Sequence, residues 1–457
     1  MKKTIAEMLQ SASTSAAAEK LVKLFDEDSF VELDKFVGKD RNTAGVISGY
    51  GFVDGAVVYA YAQDTSVKSG ATDESAALKI KKVYDLALRN GAPVVSILDS
   101  KGGDIAEGMK LLAAYGDIAK SSAALSGAVP QIAIVDGVCA GTNAMIACMA
   151  DVVIMTEKSE LFMTAPFVAD DKTEGAGTAE NAAKSGVAAI IAKDGDEAIA
   201  KAKKLIAMLP ANNLETAGND YYTENDAVVT EDLKGLELIS AVADKDSITE
   251  LYNGFGSATV TAIGSVNWRT VGFVATNNAE YLSSDDSAKI ARFVTLCDAF
   301  SIPVVTFVDT KGYEKSSAAE LAGSIRNSAK LMQTYASATT AKIAVITGNA
   351  YGSAYVSLAS TAAGSDFCFA WEDAVIAPVS PEAAVTFLNG AASAEDTAKA
   401  AKEYAENEAD PFTAASLGYV DRVIEVADTK SAITSAIDVT ASKRVLAPAK
   451  KHVNFVF

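Results

Sequence analysis

The sequence predicts an α/β protein made of two tandem copies of one fold, and three observations carry that reading. First, Ala92-Pro93-Val94-Val95-Ser96-Ile97-Leu98-Asp99-Ser100-Lys101-Gly102 returns about 210 residues later as Ile302-Pro303-Val304-Val305-Thr306-Phe307-Val308-Asp309-Thr310-Lys311-Gly312. Second, other matches keep the same order. Asp28 to Leu33 answers Asp246 to Leu251, and Lys79-Ile80 answers Lys289-Ile290. Ile132 to Val135 followed by Ala140-Gly141-Thr142 answers Ile343 to Ile346 followed by Tyr351-Gly352-Ser353. Third, apolar strands alternate with helical stretches in a 457-residue chain that is 49% hydrophobic, enough for two domains. The repeat divides the chain into residues 1–240 and 241–457.

In chain order, Thr4 to Asp26 alternates alanine with charge and predicts an amphipathic helix. Val57 to Tyr61 reads as a strand, and Ala76 to Leu88 as a helix with apolar spacing of three and four. Pro93 to Leu98, Ile132 to Val135 and Val152 to Met155 are short β-branched runs of the kind buried in parallel sheets. Ala140 to Ala150 is a helix of small residues. Asp220 to Leu238 is acidic, lacks a period and is expected to connect the domains. The second half repeats the order with Val271 to Thr276, Ser287 to Phe300, Val304 to Val308, Ile343 to Ile346 and a helix over Ser353 to Thr361; Ala391 to Ala409 is alanine-rich and helical.

Composition excludes several functions. A net charge of −19 disfavours binding to nucleic acid or an acidic membrane. The single histidine, His452, excludes a histidine metal cluster and argues against a Ser-His-Asp triad. Cys139, Cys148, Cys297 and Cys368 have no metal-ligand spacing and read as reduced thiols. The N-terminus carries no apolar signal region, and Val129 to Met155 is broken by Asp136, Asp151 and glycines, so a cytoplasmic chain is expected. P-loop, dinucleotide and zinc-protease motifs are all missing.

Two paired features could carry chemistry. Ala140-Gly141-Thr142 and Tyr351-Gly352-Ser353-Ala354 each follow a buried strand and open a helix, where first-turn amides can hold a developing oxyanion. Asp99-Ser100-Lys101-Gly102-Gly103 and Asp309-Thr310-Lys311-Gly312-Tyr313 each leave the C-terminal end of a strand, where α/β ligand sites lie. Lys101 and Lys311 could face a phosphate or carboxylate, or could be solvated loop charges.

These turns, with Gly49-Tyr50-Gly51, Gln63-Asp64, Val129-Pro130-Gln131-Ile132, Cys297-Asp298-Ala299-Phe300, Gly418-Tyr419-Val420-Asp421 and the tail Lys443-Arg444, Pro448, Lys450-Lys451-His452 and Asn454, resemble the carboxyltransferase subunits of biotin-dependent acyl-CoA carboxylases and decarboxylases, propionyl-CoA carboxylase beta chains among them. The resemblance spans nearly the whole chain. It implies two tandem crotonase-like β/α spiral domains and a hexamer built as a trimer of dimers. The acyl-CoA would lie on the N half and biotin, on a separate carrier protein or domain, on the C half, with the site shared between subunits. It also implies catalysis by backbone amides: Gly141 and Thr142 toward the thioester enolate oxygen, Ser353 and Ala354 toward the ureido oxygen of biotin. Lys101, Gly102, Gly103, Ala140, Lys311, Gly312, Tyr351, Gly352 and Val356 would line the substrate sites, with no metal.

Several positions depart from the family pattern. Thr142 and Ser353 stand where the family has glycine, Asp104 where its loop has arginine, and Lys311-Gly312-Tyr313 where it has Pro-Gly-Phe. Asn349 follows Gly348 where an arginine is usual, and Val356 replaces the polar residue of many propionyl-type members. Three readings follow: carboxyl transfer between biotin and a short-chain acyl-CoA (propionyl-CoA and methylmalonyl-CoA, or acetyl-CoA and malonyl-CoA), the same half-reaction in a sodium-pumping decarboxylase, and an inactive hexameric scaffold. Expected partners are a biotin carboxyl carrier protein and either a biotin carboxylase or membrane decarboxylase subunits.

Overall fold

The computed structural model describes residues 15–38, 43–166, 168–171, 174–216, 223–276, 280–390, 393–446 and 454. The start of the expected Thr4–Asp26 helix and most of the C-terminal tail, His452 included, lie outside the described residues. The rest of that helix is Ala16–Leu24, started by Ser15, whose Oγ accepts from Ala18 N at 3.3 Å.

Two compact units divide between Glu215 and Thr216, earlier than the repeat alone placed the boundary. The physical reason is the helix Gly235–Val242. Its Leu238, Ile239 and Val242 are buried in the second core, so much of the expected connector belongs to the second unit.

The first unit holds β1 (Val31–Leu33), β2 (Val46–Val53), β3 (Ala56–Gln63), β4 (Val94–Ser100), β5 (Gln131–Ala140), β6 (Val152–Thr156), β7 (Glu160–Phe162) and β8 (Ile190–Ala192). They form one sheet in the order β1-β2-β3-β4-β5-β6-β8, with β7 beside the end of β5. The first three strands pair antiparallel, and every later pair is parallel. The hairpin β2–β3 is tight, with Asp54-Gly55 at its turn, both at positive φ.

The second unit holds β9 (Thr249–Leu251), β10 (Thr259–Val266), β11 (Arg269–Thr276), β12 (Glu280–Leu282), β13 (Val304–Tyr313), β14 (Lys342–Tyr351), β15 (Phe367–Trp371), β16 (Val375–Ala377) and β17 (Arg422–Ile424). Its order, β17-β15-β14-β13-β11-β10-β9 with β16 beside β14, is the first sheet strand for strand. Even β12, which pairs with β13 through Leu282 and Tyr313, has a trace in the first unit, the isolated bridge between Thr72 and Gly103.

The first parts of the central strands are largely apolar, with Ser96 and Thr306 as exceptions, as expected of parallel strands buried on both faces. Val94, Val95, Ile97 and Leu98 of β4 are buried, as are Val304, Val305, Phe307 and Val308 of β13. The helix Glu74–Asn90 lays Ala76, Ala77, Ile80, Val83, Tyr84 and Ala87 against the first sheet. Asp73 caps its start, accepting from Ala76 N at 2.8 Å, and Gly91 ends it at φ 62. In the second unit Ser284–Ala299 takes the same place, closed by a capping box between Ser283 and Asp286. Each large apolar side chain so buried contributes roughly 1.5–3 kcal/mol.

Candidate functional site

In both units the parallel strands β4 and β13 run beside β5 and β14. An aspartate joins the two strands there. Asp99 accepts from Val138 N at 3.2 Å, and Asp309 accepts from Asn349 N at 2.9 Å. Space for those carboxylates exists only because the facing residue is glycine. A Cβ on Gly137 would lie 2.2 Å from Asp99 Cγ, and one on Gly348 would lie 2.4 Å from Asp309 Oδ1. Burial raises the Asp99 carboxyl above its ordinary range, against the pull of the Val138 hydrogen bond.

The glycine segments just past the two aspartates are alike in detail, although in the second unit the segment is the last part of β13 rather than a loop after it. Gly102 has φ 118 and Gly312 φ 104, values that only glycine adopts without strain. The Gly102 amide donates to Ser100 Oγ at 3.2 Å, and the Gly312 amide donates to Thr310 Oγ1 at 3.2 Å. A Cβ on Gly102 would meet only the Ala140 carbonyl, at 4.0 Å, and one on Gly312 only the Tyr351 carbonyl, at 3.8 Å. The glycine of each segment therefore faces the end of the neighbouring strand across open space.

That strand end is where the second feature sits. In the first unit β5 runs through buried Ala140 into Gly141 at φ 66, and Thr142–Ala147 is helical. The Gly141 amide donates to the Phe162 carbonyl at 2.9 Å, so Gly141 shapes the turn and is not itself a free donor, contrary to the sequence expectation. Ala144 N and Met145 N turn back to the Gly141 carbonyl, which leaves the Thr142 and Asn143 amides ahead of the first intrahelical bond. In the second unit β14 ends at Tyr351, and the helix Gly352–Leu358 begins with Gly352 at φ 54. Ser353 and Ala354 supply its first-turn amides; Ser353 is exposed and Ala354 fully buried.

The first loop and turn are thus brought together by β4 and β5, and the second pair by β13 and β14. Lys101 and Lys311 both have exposed side chains. Val356 is 40% exposed on the helix after the second turn.

Sequence reasoning missed the side chains that tie each loop to its turn. In the first unit Asn143 donates through Nδ2 to Ser100 Oγ at 3.1 Å. In the second, the Tyr313 hydroxyl donates to Ser357 Oγ at 2.9 Å, and Ser357 donates to the Ser353 carbonyl at 2.9 Å. Burial pushes the Tyr313 hydroxyl above its ordinary range. Asn349 also went unassigned: it donates through Nδ2 to Asp309 at 3.2 Å and accepts from the Tyr351 hydroxyl. Burial, with Glu382 and Asp309 nearby, pushes that hydroxyl up to about 12. For Asn143, Asn349 and Ser357 the signal that could have found them was their position, a polar residue inside a run of small or apolar ones; Tyr313, between Lys311-Gly312 and Glu314-Lys315, carried no such signal.

Among the described residues Asp73, Asp104 and Glu107 bring carboxylates together, and Lys68 pairs with Asp104 and lies 3.8 Å from Asp73. Asp104 stands in the loop where arginine was expected from the family pattern, and here it anchors Lys68.

A family model for the carboxyl transferase domain matches residues 11–455. The methylmalonyl-CoA decarboxylase subunit alpha of Veillonella parvula is 37% identical over 96% of this chain and 92% of its own length. The propionyl-CoA carboxylase beta chain of Roseobacter denitrificans is 34% identical over 96% of this chain and 93% of its own. A solved structure of transcarboxylase 12S, described as a hexamer assembly with hydrolysed methylmalonyl-coenzyme A bound, superposes with a TM-score of 0.90. It has 35% sequence identity and is matched over 99% of this chain and 95% of that one.

Proposed function

The chain belongs to the carboxyl transferase family, and we propose that it moves a carboxyl group between carboxybiotin and a short-chain acyl-CoA, with propionyl-CoA and methylmalonyl-CoA or acetyl-CoA and malonyl-CoA as the substrate pairs. Each unit is a crotonase-like β/α spiral. One observation carries the mechanism: the same glycine loop and helix-start turn occur at the same place in both units.

Carboxylating a thioester at its α-carbon requires that carbon to lose a proton, and the electrons collect on the thioester oxygen. A pair of fixed amide donors at that oxygen lowers the barrier, and losing one such donor typically costs about 10²–10³ in turnover. In the first unit the Thr142 amide is that donor, with Gly141 shaping the turn and Ala140, Gly102 and Gly103 forming the floor. The positive φ of Gly102 lets the substrate approach the backbone closely. Lys101 faces the anionic end of the acyl-CoA.

The second unit fits biotin on the same grounds. Gly312 leaves open space beside the Tyr351 carbonyl, and the Ser353 and Ala354 amides are donors for a ureido oxygen. When bound, biotin supplies an activated carboxyl group and a basic site for the α-proton. The protein holds it with Gly312, Tyr351 and Gly352, orients it through the Ser353 and Ala354 amides, and keeps Lys311 at the rim. Val356, 40% exposed on the same helix, would line the substrate site of this unit. A chemistry that runs on backbone donors asks nothing of histidine.

The name of the Veillonella parvula relative favours a second direction of the same half-reaction, release of the carboxyl group from methylmalonyl-CoA onto biotin, whereas the name of the Roseobacter denitrificans relative favours carboxylation. Biotin would arrive on a carrier protein in the cytoplasm, supplied by a biotin carboxylase or by membrane decarboxylase subunits. Among the described residues no helix is long and apolar enough to cross a membrane.

The test uses purified protein with free biotin and methylmalonyl-CoA or malonyl-CoA. Biotin-dependent decarboxylation is the expected result. Its absence with both thioesters would leave the inactive scaffold as the reading.

A further inference from the structure

The repeat aligns Gly141-Thr142-Asn143 with Gly352-Ser353-Ala354, so the first unit carries a buried amide side chain where the second carries a methyl group. Asn143 is 6% exposed, and its side chain touches two separate segments through three partners. Its Oδ1 accepts from Thr72 Oγ1 at 3.1 Å, and its Nδ2 donates to Ser100 Oγ at 3.1 Å and to the Gly102 carbonyl at 3.5 Å. Thr72 in turn holds the loop from its other side. Its amide donates to the Gly102 carbonyl at 3.0 Å, and its carbonyl accepts from Asp104 N at 2.8 Å.

In the second unit Ala354 cannot make such a bridge, and the lock comes from the loop instead. There Tyr313 reaches over to Ser357, and Ser357 reaches the Ser353 carbonyl. The two turns are alike in backbone, but the side chains that fix them are on opposite partners.

Building on the proposed function, we infer that Asn143 is the positioning residue of the acyl-CoA half: its side chain sets the distance between the Gly102-Gly103 loop and the Thr142 amide. Three of the four hydrogen-bonding positions of its amide group are used, all on neutral partners. The bridge is therefore rigid and independent of the biotin half. Displacements near 1 Å in such a constellation can cost about 10²-fold in rate.

The experiment measures the biotin-dependent decarboxylation of methylmalonyl-CoA and, separately, the binding of propionyl-CoA by calorimetry. Asn143→Ala keeps the backbone amide and removes the bridge. It should lower kcat/KM for the thioester about 10–100-fold and weaken propionyl-CoA binding, while KM for biotin stays within about twofold of the parent. Tyr313→Phe should do the converse, raising KM for biotin and sparing propionyl-CoA binding. The double variant Asn143→Ala/Ser100→Ala should lose less than the sum of the two single losses, because the changes share the Asn143–Ser100 contact, although Ser100 also holds the Gly102 amide. Should Asn143→Ala fail to fold, Thr72→Val and Ser100→Ala remove its partners singly and should show the same thioester-only effect. Equal shifts in both Michaelis constants, or none in either, would overturn the assignment. A parent that neither binds propionyl-CoA nor responds to biotin would overturn the functional reading, and this inference with it.

Discussion

Gly348 offers a direct way to test whether Asp309, within β13, is the keystone of the second turn. Replacing it with alanine puts a Cβ 2.4 Å from Asp309 Oδ1 and 2.5 Å from Cγ. No real contact is that short, so the carboxylate must leave. Asp309 is only 6% exposed and has little room to turn. On leaving it gives up the Asn349 amide at 2.9 Å, the Asn349 side chain at 3.2 Å and its approach to Lys234 at 3.6 Å. Hydrogen bonds to a charged group contribute about 1.5–3 kcal/mol, and overpacking a tight site costs about 1–3 kcal/mol. Whichever way the site yields, about 2–3 kcal/mol is lost, which in a domain of this size lowers Tm by roughly 5–10 °C.

Activity should suffer more than stability, because Asn349 also holds the Tyr351 hydroxyl beside the proposed biotin turn. Scanning calorimetry and biotin-dependent decarboxylation on Gly348→Ala should show the lower Tm and a raised KM for biotin. Gly116→Ala is the control. Gly116 lies inside the helix Met109–Leu125 with nothing within 4 Å of a new Cβ, so alanine there should stabilise by about 1 kcal/mol. A Gly348→Ala protein with parental Tm and parental KM for biotin would refute the keystone argument.

Three further tests follow. Burial lowers the Lys289 ammonium to about 8 although Asp286 and Glu250 oppose the shift, so the unfolded chain binds more protons between pH 8 and its ordinary 10.5; stability should rise with pH across that window, and in Lys289→Met calorimetry should find this part of the rise missing. Lys101→Ala and Lys311→Ala should each raise a Michaelis constant, the first for the thioester and the second for biotin, and make it less sensitive to salt; unchanged kinetics in both would return these exposed lysines to the solvated surface. Light scattering should report an oligomer containing dimers, with a hexamer expected, and a stable active monomer would refute a site shared between subunits.

The duplication was legible because it is carried by the buried central strands and the glycine segments that follow them, which repeat nearly residue for residue. Pro93 to Gly102 and Pro303 to Gly312 are β4, β13 and their loops, and they anchor both sheets. The hairpins β2–β3 and β10–β11 were harder to read. Only Val57 to Tyr61 and Val271 to Thr276 stood out, since Ile47-Ser48-Gly49-Tyr50-Gly51 mixes glycine and serine into a strand packed under aromatic rings. A Cβ on Gly51 would strike Phe25, and one on Gly49 the Val31 carbonyl, and neither fact is visible in a strand pattern. The boundary moved for a related reason: Leu236 to Val242 is apolar enough to be core, but the acidic run before it hides the helix.

The same contrast explains what was read of the site and what was not. Backbone features leave a trace in glycine and small residues, so both turns and both loops could be found from Gly102, Gly141, Gly312 and Gly352. Side-chain locks leave none until the partners are known. Asn143 sits between threonine and alanine, and its meaning depends on Ser100 and Thr72, which are distant in sequence. The departures from the family pattern then become physically connected. Tyr313 in place of phenylalanine adds the hydroxyl that reaches Ser357, and Asn349 near the missing arginine bridges Asp309 and Tyr351. Asp104 in place of arginine pairs with Lys68. Substitutions that had eroded an abandoned site would leave polar groups stranded. Tyr313, Asn349 and Asp104 instead each find a partner among neighbouring side chains, which favours a working site with its own internal supports over an idle scaffold.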